Sequence, residues 1–265
     1  MIGKWQIELP GAGHEPSEGC RAFDRGRSAL VAGRLDEATV EFERAAGLRD
    51  DPLDQVGLGD VHLARGHWQQ AAECYRRALT ADGTNQLAQL GVSQLLVGQG
   101  RAAEAIPDLE RMVAERPDEP VLRYYLASTW CSVAEQCRSQ TCDEVLVITS
   151  EDQLRVCEQA ARRILQLDVD DDELTRGARR LLAEVTAGRR WSWAPEGIAV
   201  SLTVLVISLG FTTVVAGGAL DSVGLVIAGV LVGAALLYLI VLRFRRQAWQ
   251  LRAESIARSI AKPGL

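Results

Sequence analysis

The sequence predicts an all-α chain: a stack of paired helices, then a two-helix apolar hairpin, then a basic tail. Three observations predict it. A short pattern recurs at spacings of 33 and 34 residues in the first half of the chain. Near the C-terminus, Ile198 to Ala216 and Val223 to Leu242 contain no charged residue. Each approaches the ~20 residues that a helix needs to cross a bilayer. Charge is also unevenly divided. Residues 1–188 carry 21 Lys+Arg against 32 Asp+Glu, net −11, and residues 189–265 carry 8 against 3, net +5.

In chain order, residues 1–18 are polar and interrupted by Pro10 and Pro16. They lack the apolar run of a secretory signal and read as a flexible N-terminus that stays in the cytoplasm. The recurring pattern then appears three times: Gly33-Arg34-Leu35-Asp36-Glu37-Ala38, Gly66-His67-Trp68-Gln69-Gln70-Ala71 and Gly100-Arg101-Ala102-Ala103-Glu104-Ala105. Seven residues before each glycine stands a small residue, Gly26, Gly59 or Ser93. Four residues after the recurring alanine stands Phe42, Tyr75 or Leu109, and three further on Ala45, Ala78 or Met112. Small residues let two helix backbones approach, and the large residue fills the space toward the next unit.

This spacing and these residues resemble the tetratricopeptide repeat family, whose 34-residue unit is a pair of antiparallel helices. The resemblance covers roughly residues 19–170 and implies a right-handed helix-pair solenoid. The early aromatic of the family is missing, with Ala22, Gln55 and Gln89 in its place, and Arg25 replaces a leucine as befits an end repeat. A fourth unit reads as split. Its first helix runs from Pro120 to Trp130, with Ala127 at the small position, and about eighteen extra residues follow near 133–150. Its second helix starts at a Ser150/Gln153 capping box and carries Leu154, Cys157, Ala161, Ile164, Leu165 and Leu167. A capping helix from Leu174 to Ala187 closes a domain over 19–188. The insertion contains Val145-Leu146-Val147-Ile148, too apolar for water. It reads as a strip packed on the array, with filling of the groove or docking on another protein as the alternatives, since a strand without a partner is unstable alone.

The resemblance further implies a protein-binding groove lined by the first helix of each unit. Carried onto this chain, its positions are Phe23, Arg27 and Leu30; Leu53, Val56, Asp60 and Leu63; Leu87, Leu90, Gln94 and Val97; and Val121, Tyr124 and Ser128. A one-residue slip of register would turn some of these into internal packing. One subclass grips a peptide's terminal carboxylate with Lys, Asn and Arg. Phe23, Arg27, Gly57, Leu87 and Gly91 stand at those positions, so that clamp is not implied.

Residues 189–197 form a juxtamembrane segment, 198–242 the membrane hairpin (198–216 and 223–242) and 243–265 a basic cytoplasmic tail. Arg189 and Arg190 precede the first span, and Arg243, Arg245 and Arg246 follow the second, while the connecting turn has only Asp221. The positive-inside rule places both termini in the cytoplasm, in a two-span plasma-membrane protein. Trp191, Trp193, Tyr238 and Trp249 suit the interface. Gly224, Ala228, Gly229 and Gly233 form a small-residue face. It either packs on the first span or joins two copies into a homo-oligomer through Gly229 and Gly233. The tail places Ala248, Leu251, Ile256 and Ile260 at near-helical spacing, either as an amphipathic helix on the bilayer or as a solvated end.

Composition excludes several function classes. An acidic domain lacks the basic footprint that nucleic acid requires. Neither span contains Asp, Glu, Lys, Arg or His, which weighs against an ion pathway. No phosphate loop, nucleophile elbow or metal-protease helix is present, so no enzyme activity and no cofactor are expected. Cys131, Cys137, Cys142 and Cys157 cluster without a C-x-x-C pair, and read as thiols more readily than as a zinc site. Arginine abundance against two lysines fits a GC-rich bacterial genome. The expected function is a membrane-anchored scaffold recruiting a protein partner, a peptide or helix, at the lipid bilayer. The alternative is a subunit of a transport, secretion or envelope assembly whose hairpin is the working part.

Overall fold

The computed structural model describes residues 4–5, 17–193, 196–220 and 223–264. They form two compact units, one of residues 1–137 with 156–181 and one of residues 138–155 with 182–265.

The first unit opens with three helix pairs: α1 (Glu18–Val31) with α2 (Leu35–Leu48), α3 (Pro52–Ala64) with α4 (Trp68–Ala81), and α5 (Gln86–Gly98) with α6 (Ala102–Glu115). Each second helix also packs on the first helix of the next pair. The recurring glycines cause the turns. Gly33, Gly66 and Gly100 have φ of 73°, 74° and 78°, a left-handed conformation that costs a side chain and that glycine adopts freely. In each turn the glycine N–H donates to the carbonyl three residues back, and the following N–H to the carbonyl five back (Arg34 to Ala29, His67 to His62, Arg101 to Leu96). This paired pattern satisfies the last carbonyls of the helix and stops it. Ser17, Asp51 and Asn85 cap the N-termini of α1, α3 and α5 through their side chains.

The large recurring residues act as staples between repeats. Phe42 is fully buried, and its ring lies against Gly26 of its own pair and Gly57 of the next. Tyr75 likewise lies against Gly59 and Gly91. A Cβ on any of these four glycines would sit 2.4–2.9 Å from a ring carbon, so the close approach depends on glycine.

Helix α7 (Pro120–Cys137) continues seven residues beyond the expected end at Trp130. Val133, Ala134 and Cys137 are buried and prolong its apolar face, and no Gly or Pro stops it. Helix α8 (Glu151–Gln166) begins at the capping box: Gln153 N–H donates to Ser150 Oγ at 3.1 Å, and the Gln153 amide oxygen accepts from Thr149 N at 2.7 Å. Its buried face carries Leu154, Cys157, Ala160, Ala161 and Ile164. Within the first unit, Glu110 of α6 accepts a two-pronged bond from Arg163 of α8 and one from Trp130 Nε1 of α7. Helix α9 (Asp172–Gly188) is capped by Asp171.

In the second unit the inserted segment folds into β1 (Ser139–Thr141) and β2 (Leu146–Val147), paired antiparallel. The expectation of a partnerless apolar strip is corrected here. β1 is the central strand of three, because β5 (Ile260–Lys262) from the C-terminal tail pairs with its other edge. Cys142 N–H donates to Ser259 O, and Gly264 N–H to Ser139 Oγ. Strand β3 (Trp191–Trp193) pairs antiparallel with β4 (Arg245–Gln247), across the two ends of the apolar hairpin. The Arg245 guanidinium lies 4.9 Å from the Trp191 ring centre. The tail continues as α12 (Ala248–Ile256), so Ile260 lies on a strand instead of on the helix with Ala248, Leu251 and Ile256.

Helices α10 (Glu196–Ala219) and α11 (Val223–Phe244) form the hairpin. Val200–Ala219 and Val226–Phe244 have mean hydropathies of 2.1 and 2.4 and are long and apolar enough to cross a bilayer. Only 6% and 11% of these stretches are buried, and Phe211, Leu231 and Leu239 are among the exposed side chains.

Candidate functional site

The predicted groove positions fall on α1, α3, α5 and α7 of the first unit. Tyr124 is exposed, and Arg27, Leu30, Leu53, Gln94, Val97, Val121 and Ser128 are half-buried. Phe23, Val56, Asp60, Leu63, Leu87 and Leu90 are buried. Val56 and Leu90 are fully so and present no surface to an incoming chain.

Burial at Phe23, Asp60 and Leu87 has a specific cause. Within the N-terminal segment expected to be flexible, Lys4 and Trp5 are buried, at 1% and 6% exposure, among groove residues. The Lys4 ammonium lies 2.5 Å from Asp60 Oδ1 and 3.4 Å from the Leu87 carbonyl. It also lies 5.2 Å from the Tyr75 ring centre. The Trp5 indole N–H donates to Asp60 Oδ2 at 2.9 Å, and the indole meets the Phe23 ring edge-on at 5.6 Å. Tyr75 O–H donates to Asp60 Oδ1 at 2.6 Å, and Lys4 N–H donates to Tyr125 Oη at 3.2 Å. A pocket of about 270 Å³ opens beside Trp5, lined also by Leu30, Val31, Leu35, Asp60 and Ala64.

The electrostatics follow from this geometry. Burial lowers the Lys4 pKa below the usual lysine value, and the Asp60 carboxylate opposes that shift. Burial, then the Asp60 charge, raises Tyr75 well above an ordinary phenol, so its proton stays on and its hydroxyl remains a donor. Burial pushes Tyr125 up to about 12. The site is therefore a buried carboxylate with three donors aimed at it, which can hold a cation beside an N–H group. Sequence reading found Asp60 and Phe23 as groove positions but missed Lys4, Trp5, Tyr75 and Tyr125. The available signal was compositional: Lys4 is one of two lysines in the chain and stands next to a tryptophan.

The cysteines divide. Cys137 and Cys157 are buried with sulfurs 3.6 Å apart, Cys131 is half-buried, and Cys142 is exposed in the β1–β2 turn. Among the described residues no group of three His, Cys, Asp or Glu side chains is placed to hold a metal. In the hairpin, Gly229 packs against Thr213 of α10, and Ala228, Gly229 and Gly233 line a crevice of about 190 Å³ between α10 and α11. A Cβ on Gly224 or Gly233 would meet nothing within 4 Å.

The tetratricopeptide repeat family model matches residues 56–120, from α3 to the start of α7. Similar solved structures include MamA, residue 41 to its end, from Desulfovibrio magneticus RS-1, at 16% identity, 65% of this chain, 96% of that chain and a TM-score of 0.44. They also include a TPR repeats protein from Bacteroides fragilis NCTC 9343, at 13% identity, 91% of this chain, 96% of that chain and a TM-score of 0.36. The search of curated proteins returned no match. With the glycine turns and the ring-on-glycine staples in register with the matched segment, residues 56–120 are similar to the tetratricopeptide repeat, a helix-pair unit associated with protein–protein interaction scaffolds.

Proposed function

We propose that this chain is a membrane-anchored scaffold. Its repeat array captures a protein segment along the face of α1, α3, α5 and α7, and its apolar hairpin holds that face at the cytoplasmic side of a bilayer. One observation carries the capturing role: the face already holds two residues of chain, Lys4 and Trp5, through side-chain and main-chain contacts. Support for anchoring comes from the exposed aliphatic and aromatic side chains of α10 and α11, which in water would form a large unstable apolar patch. The β3–β4 pairing brings Arg189 and Arg190 to the same end of the hairpin as Arg245 and Arg246. That arrangement fits both termini being cytoplasmic.

The test uses the full chain in native membranes. Crosslinking followed by identification of attached proteins is compared between wild type and Leu53→Asp/Tyr124→Ala, two groove residues with accessible side chains. Folding of the variant is checked by circular dichroism after detergent extraction. The scaffold reading expects the captured protein to be lost with the fold retained. Unchanged capture refutes the groove.

A further inference from the structure

We infer that the groove selects a cation next to an indole, and that Lys4–Trp5 is its resident intramolecular ligand, which a partner segment of the same chemistry displaces. The inference rests on the reading of this face as a protein-binding groove and specifies what that groove reads.

Asp60 is the recognition centre. Its carboxylate is 1% exposed, and a buried carboxylate requires donors and a countercharge. Oδ1 takes the Lys4 ammonium and the Tyr75 hydroxyl, and Oδ2 takes the Trp5 indole N–H. Two of these three donors, one of them the cation, come from the docked segment; Tyr75 belongs to the repeats. A segment that replaces Lys4–Trp5 must therefore bring a positive charge and an N–H, or leave the carboxylate short of both. An acidic segment meets like charge at this point. The polarity is opposite to that of a groove built to hold a terminal carboxylate.

The remaining contacts set shape. The Tyr75 ring lies beside the ammonium as a cation–π partner, which favours a compact cation at that position. Phe23 offers its ring to the indole edge at 5.6 Å, and Phe42 backs Phe23 at the same separation. Tyr125 accepts the main-chain N–H of Lys4, so the site also fixes the backbone of the cationic residue. Because the ligand belongs to the same chain, the unliganded protein holds its own groove closed at this centre. A tethered segment acts at an effective concentration on the order of millimolar.

The experiment uses the full chain in detergent micelles and a fluorescein-labelled synthetic peptide of residues 1–10 as probe, read by anisotropy. The Lys4→Met/Trp5→Ala chain, with its groove vacated, is expected to bind the probe at least 10-fold more tightly than wild type. A Lys4→Glu probe is expected to bind that chain at least 10-fold more weakly, as is the native probe on a chain that also carries Asp60→Asn. Should Asp60→Asn unfold the array, the Lys4→Glu probe still decides, since it leaves the protein unaltered. Equal probe binding by wild type and the vacated chain, or indifference to the probe's charge, overturns the inference. Loss of partner crosslinking in Leu53→Asp/Tyr124→Ala without probe binding to the vacated chain removes this inference and leaves the scaffold reading standing. Probe binding with unchanged crosslinking refutes partner capture through this face and reduces Lys4–Trp5 to a contact within the chain.

Discussion

Replacing Gly57 by alanine tests whether ring-on-glycine contact holds consecutive repeats together. A Cβ at that position would lie 2.5 Å from Phe42 Cε1, 2.6 Å from Cδ1 and 2.7 Å from Cζ. Comfortable carbon separations are about 3.5–4.0 Å, so the ring must retreat by roughly 1 Å. It has nowhere to go: Phe42 is fully buried, Phe23 stands at 5.6 Å, and Gly26 closes the other side. Such overpacking costs about 1–3 kcal/mol, against which alanine recovers up to about 1 kcal/mol of helix propensity. The net expectation is a loss of about 1–2 kcal/mol, lowering Tm by about 2–8 °C. Gly47 of α2 is the control, since a Cβ there meets nothing within 4 Å, so Gly47→Ala should be neutral or raise Tm. Phe42→Leu in the Gly57→Ala background should recover about 1 kcal/mol relative to additivity, because it removes the atoms that clash. Thermal melting by far-UV circular dichroism reads wild type, the single variants Gly57→Ala, Gly47→Ala and Phe42→Leu, and the double variant. If Gly57→Ala stabilises as Gly47→Ala does, the staple is not what spaces the repeats.

Three further outcomes are expected. Gly66→Ala places a side chain at φ 74° with free space around it, so it should cost about 1–2 kcal/mol through backbone strain alone, read as a lower Tm. Glu110 lies below its ordinary pKa of 4.5, first because Arg163 bonds its charged form; stability from this pair is full above pH 4.5 and lost as pH falls through the folded-state value. Solvent reaches the pair, so its worth is about 0.5–1 kcal/mol, and Glu110→Gln should flatten that part of the stability–pH curve. In membranes, Ile207→Arg puts a charge on an exposed face of α10 at a cost of about 2.5–3.5 kcal/mol of insertion, so less protein should resist carbonate extraction. Extraction identical to wild type speaks against a lipid-facing α10.

Local chemistry made the repeats legible. A turn glycine, a small residue and a ring at fixed offsets, and the Ser150/Gln153 capping box all recur or act within one helix pair. The fourth unit was harder because its signals are distant. Nothing between Trp130 and Cys137 stops a helix, so α7 continues. The polar Ser139–Thr141 becomes a central strand only because Ile260–Lys262 arrives from the far end of the chain. The groove shows the same divide. The family resemblance assigned its positions to α1, α3, α5 and α7, but what Asp60 does depends on Lys4, 56 residues away in sequence. Polar composition around Pro10 and Pro16, which lie outside the described residues, suggested a free end; at Lys4 and Trp5 themselves a buried ion pair and an indole N–H bond hold the chain in place.

Self-occupation of the groove sets a threshold for any partner. A tethered segment at an effective concentration on the order of millimolar raises the apparent Kd of a competitor present at micromolar levels, and matching it needs about 10³-fold tighter intrinsic binding. At 1.4 kcal/mol per tenfold, that is about 4 kcal/mol beyond what the Lys4–Trp5 contacts supply. A second cation–indole pair cannot provide this by itself, because it repeats the same contacts. The surplus has to come from groove that the resident segment leaves open. The pocket beside Trp5 is one such place, and the half-buried Arg27, Gln94 and Val97 together with the exposed Tyr124 are others. In the proposed anchored state, a bilayer would shorten the remaining gap by confining scaffold and partner to one surface. On this reading the hairpin and the closed groove work together: the array stays shut toward dilute segments in bulk solution and opens to a longer basic–aromatic segment concentrated at the membrane.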